Sequence, residues 1–326
     1  MRFIITGGTG FIGHKVVKIL ESQGHDCFII DNCSDYGFIP KDELNYLQTE
    51  RRKLLRAGVH CLSLNDYKST EDFIRTFSAL SDCIIHLASF PRQKVVNDSP
   101  VIASEVMSTG LVNLLELTRK YKIPKFVYVS SSMVYGDFDN NVNETAVCNP
   151  QGQYGIMKYM GEQLVKDYTR RNCFDHVIVR PSAVYGELDV EDRVVSKFIV
   201  SALRGGTLKV NGPDEVLDFT HVDDTAQGIV LAATTESATN STFNITRSNP
   251  DTYTLLDAAK LAIDIAGKGT IEVNNRDMNF PSRGRLNIDL AREVLGYNPQ
   301  INIEEGFKRY YNWLSESEFW KKKTKI

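Results

Sequence analysis

Short apolar, β-branched runs alternate along this chain with stretches in which apolar positions recur every three or four residues. Arg2 to Thr6, Asp26 to Ile30, Val59 to Leu64, Asp82 to Leu87, Lys125 to Ser130 and His176 to Arg180 read as strands. Phe11 to Gln23 reads as a helix closed by Gly24, and Val101 to Tyr121 and Tyr154 to Arg171 as longer helices. The strands are apolar throughout rather than alternating, which predicts a parallel sheet covered on both faces. Right-handed crossovers then give a doubly wound α/β fold. After Gly186 the rhythm loosens into a helix at Val195 to Arg204, a strand at Leu208 to Val210 and a last helix near Ile303 to Ser315. The change predicts a core domain over 1–180. Residues 181–326 form mainly a smaller lobe over the sheet's carboxyl edge, with some segments returning to the core sheet.

Composition narrows the class. The 326 residues are 42% hydrophobic and 24% charged with a formal net charge of −3, so neither nucleic acid nor an anionic membrane is an expected partner. No apolar run is expected to reach the roughly 20 residues of a membrane span. The first strand runs straight into a glycine motif, leaving no room for a signal peptide. The six cysteines show no CxxC pair and no metal-like spacing with histidine, which predicts reduced thiols, no metal and a cytoplasmic protein. Lys321, Lys322, Lys323 and Lys325 read as a solvated basic tail.

Thr6-Gly7-Gly8-Thr9-Gly10-Phe11-Ile12-Gly13 follows the first strand and opens the first helix. Glycines at 7, 10 and 13 permit a tight turn, approach of a pyrophosphate to bare backbone and close helix–strand packing. The helix N-terminus offers free N–H groups and a positive dipole end. Asp31 ends the second strand, where a carboxylate accepts hydrogen bonds from an adenosine ribose and repels a 2′-phosphate. Asn32 follows, with no Arg or Lys adjacent in sequence. This predicts NAD rather than NADP.

Tyr154 and Lys158 lie four apart at the start of a helix and face the same way. A phenol acts as a base near neutral pH only when cations lower its pKa from about 10. Lys158 is one such cation, and a positively charged nicotinamide another. Ser131 stands at the carboxyl end of the strand KFVYVS, where a hydroxyl bonds a substrate oxygen.

These motifs together resemble the extended short-chain dehydrogenase/reductase family, in its NAD-dependent epimerase/dehydratase branch. The matching segments are TGGTGFIG (6–13), DN (31–32), HLAS (86–89), SSSMVYG (130–136), YGIMK (154–158), RPSAVYG (180–186), DFTHVDD (218–224), RGRLNID (283–289) and LGYNP (295–299). The resemblance implies a Rossmann core, an NAD cofactor and a nucleotide-sugar substrate. It assigns Ser131, Tyr154 and Lys158 as catalytic, with Tyr154 and Lys158 also touching the cofactor. Phe11 and Ile12 continue the pyrophosphate loop, Asp31 and Asn32 hold the ribose, and Leu87, Ala88 and Ser89 line the nicotinamide side. Ser131, Ser132 and Arg283 fall to the substrate, with Tyr135 and Pro181 flanking the site. It also implies a homodimer through the helices at 101–121 and 154–171.

Departures from the family pattern restrict the chemistry. Where the dehydratases carry Asp-Glu, this chain has Ser132-Met133, and a thioether transfers no proton. Dehydration would then need another carboxylate, such as Glu187. Leu217 replaces a frequent arginine, Ala183 an asparagine and Asn211 an aromatic residue. Ser63 stands for an acidic residue near adenine, with Asp66 close by. His221 is expected to bond backbone rather than metal, Trp313 and Trp320 to pack, and Asp223 and Asp224 to cap a helix starting at Thr225. The leading expectation is oxidation of a nucleotide sugar at C4, most simply by a 4-epimerase. A 4-dehydrogenase or reductase is the alternative, ahead of a 4,6-dehydratase and a non-catalytic NAD-binding regulator.

Overall fold

The computed structural model of the chain describes residues 1–34, 36–90, 92–249 and 253–324. In chain order it contains β1 (Arg2–Thr6), α1 (Gly13–Ser22), β2 (Asp26–Asp31), α2 (Lys41–Lys53), β3 (Val59–Cys61), α3 (Tyr67–Phe77) and β4 (Cys83–His86). Then come α4 (Gln93–Asp98), α5 (Pro100–Ser104), α6 (Gly110–Lys120), β5 (Lys125–Val129), α7 (Gly152–Arg170), β6 (Asp175–Pro181), β7 (Val184–Tyr185) and α8 (Val194–Leu203). The rest are β8 (Thr207–Asn211), β9 (Thr220–His221), α9 (Val222–Thr234), β10 (Ser241–Ile245), α10 (Leu255–Ala266), β11 (Thr270–Asn274), α11 (Asp289–Leu295), α12 (Ile303–Glu316) and α13 (Glu318–Thr324).

Seven strands form one sheet in the order β10-β6-β5-β4-β1-β2-β3, and every pairing in it is parallel. Continuous apolar strands such as Phe3-Ile4-Ile5 and Cys83-Ile84-Ile85 are fully buried because helices cover both faces. Val16, Val17 and Leu20 of α1 share one cluster with Ile229, Val230 and Ala233 of α9. Leu111, Leu114 and Leu115 of α6 pack the opposite face with Val165 and Tyr168 of α7. Connections leave in opposite directions on either side of the β1–β4 pair, opening a crevice at the carboxyl edge. Thr6 and His86, the last residues of those strands, meet there, Oγ1 to Nδ1 at 2.8 Å.

A second core joins α8, α10, α12 and α13 to the small β8–β11 sheet through Phe198, Ala258, Phe307 and Trp320. Trp313 packs against that core and Trp320 is buried within it. β10, α9 and α11 return from the C-terminal half to the large sheet.

Two sequence expectations are corrected. The segment Pro100–Lys120 has a mean hydropathy of 1.2 over a membrane-length window and is long and apolar enough to cross a bilayer by composition alone. It is broken by a π-helical turn at Glu105–Thr109, and its Ala103, Met107, Leu111 and Leu114 are buried against the rest of the protein. The basic C-terminus is not simply a solvated tail either. It forms α13, where Lys323 pairs with Glu43 and, at 2.9 Å, Glu191; Lys325 lies outside the described residues.

Candidate active site

A cavity of about 1100 Å³ runs from the glycine loop to the small lobe. Pockets for one drug-sized ligand span about 300–1,000 Å³, so this one has room for a cofactor and a second ligand. Gly7, Gly10, Phe11, Ile12, Gly13, Asp31, Asn32, Leu87, Ala88 and Ser89 all line it. Ser131, Ser132, Tyr154, Lys158, Pro181 and Arg283 line its other parts.

The loop geometry fits a pyrophosphate. Gly7 has φ +73°, and a Cβ there would sit 2.7 Å from the Ala88 nitrogen. A Cβ on Gly13 would strike the Gly7 carbonyl oxygen at 2.0 Å. No side chain caps α1; His14, Lys15 and Val16 already bond carbonyls of the turn, so an anion is met by the N–H groups ahead of them. Asp31 braces the same loop, accepting from the backbone N–H groups of Thr9 and Cys33, each at 2.9 Å. Asn32 donates to the Tyr36 hydroxyl at 3.0 Å.

Sequence reading found no cation near Asp31, and the structure corrects this, because α2 folds back over that corner. Arg52 donates to Cys33 Sγ at 2.7 Å. Arg51, buried, donates to the Leu188 carbonyl through Nη2 at 2.6 Å and Nε at 3.2 Å, and reaches the Thr9 carbonyl at 3.5 Å. It therefore straps the glycine loop to the segment preceding α8. Burial lowers the Arg51 pKa to about 10, against the pull of Asp189 and Asp31. Asp66, considered near adenine, instead caps α3 by accepting from the Ser69 N–H at 3.0 Å.

The chemical groups converge on one wall. Lys158 Nζ donates to the Val129 carbonyl at 2.9 Å and lies 5.9 Å from the centroid of the Tyr154 ring. Burial lowers its pKa to about 7, with Glu162 opposing. Within the protein itself burial raises the Tyr154 phenol, while Arg193 and a hydrogen bond with Ser131 pull the other way. An ammonium that is itself costly to keep charged is a weak activator; the guanidinium of Arg193 is the stronger cation. Ser131 Oγ accepts the Met133 N–H at 3.2 Å, which leaves its hydrogen free to point elsewhere. Ser132 donates to Ser182 Oγ at 3.0 Å.

Behind this wall Glu162 receives Ser130 Oγ at 2.6 Å and a two-pronged bond from Arg180 at 2.9 and 2.6 Å. Arg180 also reaches the Tyr135 hydroxyl at 2.8 Å. Tyr135, expected to flank the site, belongs to this buried network.

Besides Arg51, three arginines that no sequence motif singled out line the cavity. Arg193 lies 3.3 Å from Asp189 and 5.8 Å from the Phe11 ring centroid. Arg92, at φ +66°, pairs with Asp192. Arg276 lines the lobe end of the cavity and pairs with Glu215 at 3.0 Å. None belongs to a short motif; each is brought in by a loop or helix distant in sequence. Asn211, Leu217 and Ala183 also line the cavity.

Glu187 is spent elsewhere, its carboxylate 3.1 Å from His221 Nε2. His221 Nδ1 accepts the Asp223 N–H at 3.2 Å and is the N-cap of α9. The sequence placed that cap on the aspartates and the helix start at Thr225; instead Asp223 pairs with Lys15, and Asp224 accepts from Gln300 and Ile301. Glu187, His221 and Asp223 do come together at ligating distance, although sequence spacing suggested no such set. The buried imidazole is occupied by the Asp223 N–H on Nδ1 and by the Glu187 carboxylate beside Nε2.

The family model described as NAD dependent epimerase/dehydratase family matches residues 3–246. UDP-glucuronic acid decarboxylase 3 of Arabidopsis thaliana is 29% identical over 94% of this chain and 86% of its own length. UDP-glucuronate 4-epimerase of Thermodesulfobacterium geofontis is 25% identical over 97% and 96%. Among solved structures, UDP-glucose 4-epimerase of Thermotoga maritima with UDP-glucose superposes with a TM-score of 0.83, at 26% identity over 97% of this chain and 99% of that one.

Proposed function

This chain belongs to the NAD-dependent epimerase/dehydratase family, and from that premise we propose that it is a nucleotide-sugar 4-epimerase. One observation carries the reading: Ser131, Tyr154 and Lys158 share a cavity wall on which Ser132 and Met133 stand where a dehydrating acid and base would be needed. The similarity to a 4-epimerase and to a UDP-glucose-bound structure supports the same substrate class.

In this reading bound NAD supplies the hydride acceptor at C4 and a positive charge beside Tyr154. The glycine loop binds the pyrophosphate, and Asp31 and Asn32 the adenosine ribose. Tyr154 Oη takes the proton of the C4 hydroxyl, and Ser131 donates to the same oxygen and fixes its direction. Lys158 holds the nicotinamide ribose, and its neighbour Glu162 keeps part of its charge available. Arg193 opposes the burial that raises the Tyr154 phenol. Arg276 and Arg283, at the lobe end, receive the diphosphate with their forked donors. Arg276 takes over from the arginine that Leu217 replaces. Residues beyond 181 thus act mainly as a substrate-binding lobe. The exposed Val101, Ile102, Val112 and Ile156 on α5, α6 and α7 form the face through which two copies pair.

The test is incubation of the purified protein with UDP-, GDP-, CDP- and dTDP-sugars, read by proton NMR of the sugar ring. A C4 epimer without net NADH supports the reading. Net NADH with a ketone would make the protein a 4-dehydrogenase, and a 6-deoxy product a dehydratase.

A further inference from the structure

Two of the six cysteines meet at the corner that carries the ribose-binding carboxylate. β2 and β3 pair in parallel with Asp31 opposite Cys61. Two residues beyond Asp31, Cys33 adopts φ +56° and turns the chain back toward the strand end. Cys61 Sγ lies 3.8 Å from the Asn32 carbonyl, and Cys33 Sγ 3.6 Å from the Asp31 carbonyl. Cys33 lines the cavity, while Cys61 is exposed. Helix α2 holds the turn from behind, Gln48 donating to the Cys33 carbonyl at 2.6 Å and Arg52 to its sulfur at 2.7 Å.

We propose that Cys33 and Cys61 form a dithiol modification site, whose oxidation to an intramolecular disulfide by a low-molecular-weight disulfide loosens the hold on NAD. Burial, Asp31 and a hydrogen bond with Cys61 raise the Cys33 thiol to about 11, with Arg52 opposing. Cys61, the exposed sulfur of the pair, is the one that an external disulfide reaches first. Its thiolate attacks one sulfur of oxidised glutathione and expels one glutathione thiolate, leaving a mixed disulfide. Cys33 then loses its proton to solvent as its sulfur attacks the Cys61 sulfur and expels the second glutathione. Two cysteine thiols are oxidised, one glutathione disulfide is reduced to two thiols, and both protons pass to solvent or the departing thiolates.

The functional link is the backbone. Asp31 keeps its carboxylate in place by accepting the Cys33 N–H, and the Cys61 sulfur sits against the Asn32 carbonyl. Drawing Cys33 across to Cys61 reorganises both bonds, and with them the two residues assigned to the ribose.

The experiment treats the full-length protein, with its bound NAD, with oxidised glutathione. It reads peptide maps without reduction and the rate at which NAD is lost. The expected result is a linked Cys33–Cys61 peptide and NAD release faster by about fivefold or more, reversed by dithiothreitol. Cys61→Ser should give no linked peptide and NAD release indifferent to the oxidant. Cys148→Ser should behave as the parent. Phenylarsine oxide, a probe for adjacent thiols, should bind one equivalent on the unaltered protein and none on Cys33→Ser. Oxidation that stops at the mixed disulfide, arsenical binding that survives Cys33→Ser, or a linked peptide with unchanged NAD release overturns the proposal. None of these results touches the epimerase reading.

Discussion

Lys158 Nζ lies 2.9 Å from the carbonyl oxygen of Val129, the residue that ends β5. The contact holds an ammonium in a buried place where its charge is disfavoured, and its pKa falls to about 7. An unfolded lysine titrates near 10.4. Between those values the unfolded chain binds a proton that the folded protein does not, so this residue makes stability rise with pH from about 7 to 10. Lys158→Met should remove that rise and make the nucleotide-free protein more stable at pH 7. Denaturant unfolding of both proteins across that range checks it. A variant with the parent's slope would show that burial does not lower the Lys158 pKa.

Tyr154→Phe should lower turnover by about 10²- to 10⁴-fold, the usual worth of general acid–base catalysis, and leave the NAD content of the purified protein nearly unchanged. Arg193→Leu should move the acidic limb of the rate–pH profile upward, because Arg193 is the largest opposing influence on the raised Tyr154 phenol. Initial rates between pH 6 and 10 and the nucleotide content measure both effects.

The glycine loop, Tyr154 and Lys158, and the strand-end Ser131 were legible because each is a local pattern whose spacing is fixed by one turn or one helix. The doubly wound sheet was legible because continuous apolar strands demand cover on both faces. The arginines were not. Arg51, Arg92 and Arg193 reach the cavity from α2, from a left-handed turn before α4 and from the loop before α8. Only tertiary packing brings those places together. Tyr135 was misplaced for a similar reason, since a tyrosine beside a catalytic strand end has two faces to choose between, and Arg180 and Asn244 claim it.

NAD should bind more tightly than NADP by about tenfold or more, a difference of about 1.4 kcal/mol. Asp31 repels a 2′-phosphate, and the two nearby arginines are committed to the Leu188 carbonyl and to Cys33. Asp31→Ala should narrow the preference by freeing Arg52's field for that phosphate. Calorimetric titration with both cofactors decides it; equal affinities in the parent would refute it.

Turnover in deuterated water should leave C5 of the sugar unlabelled. The only carboxylate considered for a dehydration step, Glu187, is held by His221, and Ser132 is bonded to Ser182. Deuterium at C5, seen by mass spectrometry with a 6-deoxy product, would mean an unrecognised acid–base pair operates.

The protein should be a dimer at micromolar concentration. Val101 is 71% and Ile156 53% exposed, and Ile102 and Val112 are exposed as well. Ile156→Asp combined with Val112→Asp should give a monomer by light scattering, since a stable interface cannot bury two unpaired carboxylates.

The strap of Arg51 joins Thr9 of the glycine loop to Leu188, across most of the chain's length. α2 and the segment before α8 are also tied by Glu43, which accepts the Glu191 N–H at 2.8 Å and pairs with Lys323 from the far end of the chain. Residues far apart in sequence thus close one wall of the cavity, so the shape offered to a nucleotide depends on the last helix as well as on the glycine loop.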